Sequence, residues 1–295
     1  MKQIFKTRIM LLMLCSMSID ITAQGSSDIY LMDLKNLSSN PSISNVRYLT
    51  DFNKGGYNNQ AMFFSFNELY VSSQILPDTL TDIYKLNLTN ESISQVTNSP
   101  SISEYSPTPC PDKTNFTTVR IEQDRVTQTL WQYPLNQATL GIRLFPKLNN
   151  IGYHAWINDE EIALFLVGEP HTLAVGNLKT GKIETIVDKV GRCIKKIDDH
   201  TFCFVHKINP TVWTIKRYDT SAKAMTIVTE LPADVEDFEI LIDGSILIGD
   251  RHLLKKTNPI QGQEWKIIAD FSALGINHIV RPQVIRDRLI FVNNK

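Results

Sequence analysis

The chain has 295 residues, 42% of them hydrophobic, with 30 cationic side chains against 31 anionic ones. That length supports one large domain with a sizeable core. The near-neutral balance excludes the basic footprint of a nucleic-acid binder, and no polybasic membrane patch is visible: Lys195-Lys196 and Lys255-Lys256 are isolated pairs that read as solvated hairpin residues.

The first residues stand apart. Lys2, Lys6 and Arg8 precede an apolar run from Ile9 to Cys15, and Ile21-Thr22-Ala23-Gln24 supplies small residues suited to cleavage. This is the pattern of a secretory signal peptide over residues 1–24, with an apolar run too short to span a bilayer. Leu14 is a poor match to the small residue expected before a lipidated Cys15. Removal of residues 1–24 leaves 27 cationic and 30 anionic side chains, a net charge of −3. The expected product is a single domain over residues 25–295, periplasmic or secreted, with no transmembrane segment.

A strand-turn pattern then recurs to the end of the chain. It opens with an alternating strand, Asp28-Ile29-Tyr30-Leu31-Met32-Asp33-Leu34, repeated almost as a copy at Asp82-Ile83-Tyr84-Lys85-Leu86-Asn87-Leu88. Looser versions begin at Leu130, Leu173 and Trp213. Between them lie hairpins whose second strands are nearly continuous apolar runs, such as Ile162-Ala163-Leu164-Phe165-Leu166-Val167, as expected of strands buried on both faces. Six turns carrying Asp or Asn precede such strands, at Asn67, Asp112, Asp159, Asp199, Asp243 and Asp287, at intervals of 45, 47, 40, 44 and 44 residues. A regular period of roughly 40–45 residues with several strands per unit marks a β-propeller.

The two ends of the array are out of phase. It opens with an outer hairpin alone, Asp28 to about Asp51, and closes with an inner hairpin alone, about Ile279 to Val292. Joined, these make one blade, so the expected fold is all-β, a six-bladed propeller of four-stranded antiparallel blades. Its ring is closed by the N-terminal outer hairpin pairing with the C-terminal inner hairpin. Closure removes the exposed edge strands of an open array, whereas five or seven blades would strand half a blade.

The segment Glu104-Tyr105-Ser106-Pro107-Thr108-Pro109-Cys110-Pro111-Asp112-Lys113 resembles the S-P-x-x-S-P-D-G-K turn of TolB-like propellers. The strand from Asp82 to Leu88 leading to Gln95-Val96-Thr97 does so too, and Ser65-Phe66-Asn67-Glu68 and Asn158-Asp159-Glu160-Glu161 are degraded copies. The whole is similar to the WD-repeat-like propellers exported by many Gram-negative bacteria. These motifs specify the fold and carry no chemistry. TolB has an α/β domain ahead of its ring, and no such domain is expected within these 295 residues. No G-x-S-x-G nucleophile elbow of prolyl-oligopeptidase-like enzymes occurs.

Three cysteines remain beyond residue 24, namely Cys110, Cys193 and Cys203. Cys193 and Cys203 flank the Asp198-Asp199 turn and form a candidate disulfide if the hairpin is centred there, the alternative being two buried thiols. The residues just before each innermost strand should converge on the channel mouth: Asn59, Glu104, His154, Arg192, Asp237 and His278. A pocket with a few convergent polar groups is the default binding hypothesis, although a wet channel mouth is polar without any ligand. His154 and His278 are tempting ligands for a divalent cation, but their blades sit on opposite sides of the ring, so no metal and no cofactor is expected. Trp131, Trp156, Trp213 and Trp265 read as packing between blades.

The resulting expectation is an exported, non-enzymatic and monomeric binding or scaffold propeller. Its channel mouth would meet an envelope protein, a peptide or a small ligand. The alternative is a channel-mouth enzyme of lyase, lactonase or hydrolase type acting on a carbohydrate or lactone, with His154, Glu104 and Asp237 moving protons. A tight cluster of His154, Arg192, Asp237 and His278 around a deep pocket would favour the enzyme.

Overall fold

A computed structural model describes residues 25–36, 41–136 and 140–295. The expected signal peptide lies outside the described residues. None of the described helices is long and apolar enough to cross a membrane.

Among the described residues, twenty-four strands form six antiparallel four-stranded sheets. Five follow chain order. The first is β3 (Tyr57–Ser65), β4 (Glu68–Gln74), β5 (Asp82–Asn87) and β6 (Ile93–Gln95), and the second is β7 (Ser103–Pro109), β8 (Asn115–Ile121), β9 (Gln128–Pro134) and β10 (Ile142–Leu144). The third is β11 (Ile151–Trp156), β12 (Glu161–Leu166), β13 (Thr172–Asn177) and β14 (Ile183–Asp188). The fourth is β15 (Val190–Lys196), β16 (Thr201–Lys207), β17 (Trp213–Asp219) and β18 (Ala224–Glu230). The fifth is β19 (Phe238–Ile240), β20 (Ile246–Asp250), β21 (Leu253–Thr257) and β22 (Lys266–Asp270). The sixth sheet is composite, in the order β2-β1-β24-β23, built from β1 (Ser27–Lys35), β2 (Ser42–Tyr48), β23 (Ile279–Ile285) and β24 (Arg288–Asn294). The fold is therefore the expected six-bladed propeller, sealed where β1 pairs with β24 from Ser27↔Asn294 to Asp33↔Arg288.

The seal is also a core. Successive β24 side chains point to opposite faces. Ile290 and Val292 pack with Leu69, Val71 and Phe63 of the first blade. Leu289 and Phe291 pack with Leu247, Leu254 and Phe271 of the fifth. At Gly249 of β20 the composite blade comes so close that a Cβ would collide with the Ile279 carbonyl. Three further clusters join the second blade to the third, the third to the fourth, and the fourth to the fifth.

The seam between the first and second blades differs. It holds aromatic contacts, with Phe116 against Tyr70 at 5.6 Å and Tyr57 against Tyr105 at 6.3 Å, beside a run of buried polar groups. Thr81 N–H donates to Ser103 Oγ, Ser106 N–H to Ser72 Oγ, and Glu104 N–H to the Thr81 carbonyl.

The turns show why Asp and Asn recur. A short side-chain oxygen accepts backbone N–H groups two and three residues on and holds the reversal. Asp112 accepts from Thr114 and Asn115, and Asp243 from Ser245. In two hairpins the acceptor is one residue earlier than expected, Asn158 in place of Asp159 and Asp198 in place of Asp199.

The register around Asp198 also overturns the candidate disulfide. Cys193 and Cys203 are both free and buried. An irregularity between Val190 and Ile194 shifts the pairing so that Lys195, not Cys193, faces Cys203. The Cys193 thiol instead donates to the Phe238 carbonyl and accepts the Phe238 N–H, each at 3.5 Å, on the neighbouring blade. Burial pushes both thiols up to about 12.

Candidate functional site

The six innermost strands, β3, β7, β11, β15, β19 and β23, surround the channel. Three of them carry a bulge at a residue other than glycine in the left-handed region: Gln60 at φ 52°, Ser106 at φ 54° and Arg281 at φ 54°. A bulge re-aims a side chain, and a left-handed backbone disfavours any residue with a Cβ. Gln60, Ser106 and Arg281 all line one cavity in the ring, with a volume of about 100 Å³.

Arg281 crosses the channel. Its Nη2 donates to the Tyr153 hydroxyl at 3.1 Å, and its guanidinium carbon lies 5.3 Å from the centre of that ring. Arg281 belongs to the composite blade and Tyr153 to the third, so this contact joins opposite sides of the ring and narrows the waist. Burial raises the Tyr153 phenol, but Arg281 and Arg192 outweigh it and hold the group below its ordinary value of 10.0.

A second group sits on the fourth and fifth blades. Arg192 Nη2 meets Asp237 at 2.7 Å, Arg192 Nη1 meets Glu236 at 3.4 Å, and the Arg192 N–H donates to Glu236 at 2.6 Å. Lys207 reaches Glu236 at 3.3 Å, and Lys195 pairs with Glu239 at 2.6 Å. Burial acts to raise the Asp237 carboxyl, yet Arg192 and Arg281 bring it below its ordinary range. The ions here are paired and hydrogen-bonded, as buried charges must be.

The six expected mouth residues divide three ways. His154, Arg192 and Asp237 line the 100 Å³ cavity. His278 is exposed just before β23 and lines an adjoining depression of about 280 Å³, together with Arg192, Glu236 and Asp237. Asn59 and Glu104 do not face the mouth. Asn59 is buried at the seal, donating to Asn294 at 3.4 Å. Glu104 is fully buried in the polar seam beside Asp82. Both miss because the inner strands bulge just beyond them, at Gln60 one residue on and at Ser106 two residues on, and these bulged residues reach the channel instead.

Chemically, His154 is tied at one ring nitrogen, while its Nδ1 is buried without a partner. Its Nε2 lies 2.7 Å from Thr117 Oγ1, which also accepts from Trp156 Nε1. Burial lowers the imidazole to about 3 and keeps it neutral. In Glu104, burial raises the carboxyl to about 8, Asp82 adding to the effect while Ser99 and Arg120 oppose it. Asp82 is itself raised, first by burial. Both carboxyls are pushed toward the protonated form inside the seam, where the two Glu104 carboxyl oxygens are buried without a hydrogen-bond partner. Among the described residues no group of three His, Cys, Asp or Glu is placed to hold a metal ion.

Sequence reasoning did not single out Tyr153, Arg281, Gln60, Ser106 or the acids Glu236 and Glu239. The spacing of Gly152 and Gly191 beside the inner-strand irregularities was the one local hint.

No family model and no curated protein matches the chain. Solved structures do. A protein from Agrobacterium tumefaciens assigned as TolB is 9% identical with a TM-score of 0.66, over 92% of this chain and 99% of that one. TolB from Acinetobacter baumannii is 10% identical with a TM-score of 0.60, over 82% of this chain and 63% of that one. A puromycin-hydrolysing peptidase from Mycobacterium tuberculosis is 11% identical with a TM-score of 0.56, over 77% of this chain and only 39% of the peptidase. Identities so low speak for architecture alone: the chain is a six-bladed β-propeller whose fold is similar to the rings of TolB proteins and of a peptidase.

Proposed function

We propose that this chain is an exported binding or scaffold propeller of the cell envelope. The ring would present its channel mouth to a partner protein, a peptide or a small ligand. The observation that carries this reading is that the acid–base groups at the mouth are already engaged. Asp237 and Glu236 hold Arg192, Lys195 holds Glu239, and His154 is neutral and tied to Thr117. A rigid set of paired charges suits recognition better than proton transfer. The likeness to TolB rings supports the same reading at the level of fold.

A second reading, an enzyme acting at the channel on a carbohydrate or lactone, has one specific support. Tyr153 is a phenol held below its ordinary value between two guanidinium groups in a confined cavity.

The test is cross-linking capture from the envelope fraction, comparing the native protein with Asp237→Asn and His278→Ala. The binding reading expects a captured partner whose yield falls in both variants. No channel-dependent partner, together with turnover of a lactone or glycoside lost in Tyr153→Phe, would replace it with the enzyme.

A further inference from the structure

The waist of the channel has a charge imbalance that its ion pairs leave uncorrected. Three cations line the cavity, Arg192, Lys195 and Arg281, against one carboxylate, Asp237. Asp237 pairs with Arg192, Glu236 is shared by Arg192 and Lys207, and Glu239 pairs with Lys195 from just outside the lining, so with Arg281 four cations meet three carboxylates. Among the described residues, no carboxylate lies within salt-bridge distance of Arg281, which has the neutral Tyr153 hydroxyl as its hydrogen-bond partner. Arg281 feels Asp237 only at longer range, and a guanidinium withdrawn from bulk water without a directly paired anion is unfavourable.

Unpaired donors gather at the same place. The Nε of Arg281 and the Oγ of Ser106 are buried with no protein partner. Both residues sit on left-handed bulges that turn them toward the cavity. Gln60, on the third such bulge, uses its carbonyl oxygen to accept the Ser106 N–H at 2.9 Å, which leaves its NH2 group uncommitted. The Tyr153 hydroxyl accepts from Arg281, so its own proton is available to an incoming acceptor. The cavity is therefore rich in donors, carries one uncompensated positive charge, and has a volume of about 100 Å³. A water needs roughly 10–15 Å³ on this measure, so a planar monoanion and the first atoms behind it fit.

We propose that the channel waist is a carboxylate-binding site in which Arg281 is the anchoring cation and Ser106, Tyr153 and Gln60 are the flanking donors. The planar guanidinium fork matches a carboxylate. A phosphate dianion would bring a second negative charge beside Asp237, which the site does not balance. The inference rests on the binding reading above and names the chemistry of its ligand. The carboxylate can belong to a small organic acid or to the C-terminus of a peptide threaded into the ring.

The test uses the chain over residues 25–295 with arginine labelled with nitrogen-15, so that the Nε–H signal of Arg281 reports directly. Its assignment comes from the signal lost in Arg281→Lys. The probes are sodium acetate, acetyl-trialanine with a free C-terminus, and the same peptide amidated. The expected result is a saturable shift of the Arg281 signal with acetate or the free acid, and none with the amide. Affinity for acetate and for the free-acid peptide, read by isothermal titration calorimetry so that variants lacking the Arg281 signal can be compared, should fall about tenfold or more in Arg281→Gln, and by a smaller factor in Ser106→Ala. Tighter binding of the free-acid peptide than of acetate assigns a peptide terminus, and equal binding assigns a small acid. Equal response to acid and amide, no response to either carboxylate, or unchanged affinity in Arg281→Gln overturns the proposal. If Arg281→Gln does not fold, as judged by its thermal transition, Arg281→Lys and Ser106→Ala carry the same comparison. Envelope capture that fails while acetate still binds refutes the partner reading and leaves the site. Capture that succeeds without carboxylate binding refutes the site alone.

Discussion

Replacing Glu104 by Gln should stabilise the protein at pH 8 and leave it nearly unchanged at pH 4.5. Glu104 is fully buried between the first and second blades, and burial raises its carboxyl from 4.5 to about 8. Below pH 4.5 the group is protonated in both the folded and unfolded states, so its stabilising share is intact. As the pH rises toward 8 the unfolded chain releases the proton while the folded seam retains it, and stability is lost across that window. At 1.36 kcal/mol for each pH unit, the gap from 4.5 to about 8 sets a ceiling on the order of 5 kcal/mol. Asp82, raised in the same direction by burial, remains in the seam and keeps its own part of the penalty. A gain of about 2–3 kcal/mol is therefore expected from the single substitution. The Gln amide keeps the shape of the protonated acid and carries no charge at either pH. For a domain of this size the gain corresponds to a rise in Tm of roughly 5–10 °C at pH 8. Calorimetry of native protein and variant at pH 4.5 and 8 measures it. A variant that is less stable at both pH values would show that Glu104 is ionised and held by Arg120, and would refute the account of a buried, protonated Glu104.

Three further outcomes follow from the same geometry. The neutral His154, lowered from 6.5 to about 3 by burial, takes up no proton while the unfolded chain does, so stability should fall as pH drops below 6.5. His154→Gln should remove up to about 3 kcal/mol of the loss between pH 6.5 and 4, read as a smaller change in urea midpoint, and an unchanged slope would contradict it. Phe291→Ala, at a fully buried position in the seal between the composite and fifth blades, should cost about 3–5 kcal/mol in chemical denaturation. A loss below 1 kcal/mol would mean that the seal contributes little. Cys110, Cys193 and Cys203 should all titrate as thiols after unfolding and resist thiol reagents in the folded state, because each is buried and raised to about 12. Mass spectrometry showing a Cys193–Cys203 bond in the native protein would contradict the register of β15 against β16.

What the chain determined by itself is the ring. Asx turns, alternating outer strands and continuous apolar inner runs are local signals, set by backbone sterics and by burial on one or both faces. The phase difference between Asp28 and Val292 foretold the composite blade, because only pairing those ends leaves no open edge. The tertiary structure decided where side chains point inside the channel. A bulge inserts one residue and reverses the facing of everything beyond it. Asn59 and Glu104 thus fell into seams while Gln60 and Ser106 reached the cavity, and Lys195 displaced Cys193 from Cys203. The contact between Arg281 and Tyr153 spans 128 positions of sequence and two opposite blades. No local pattern encodes such a meeting, since it exists only once the ring has closed around it.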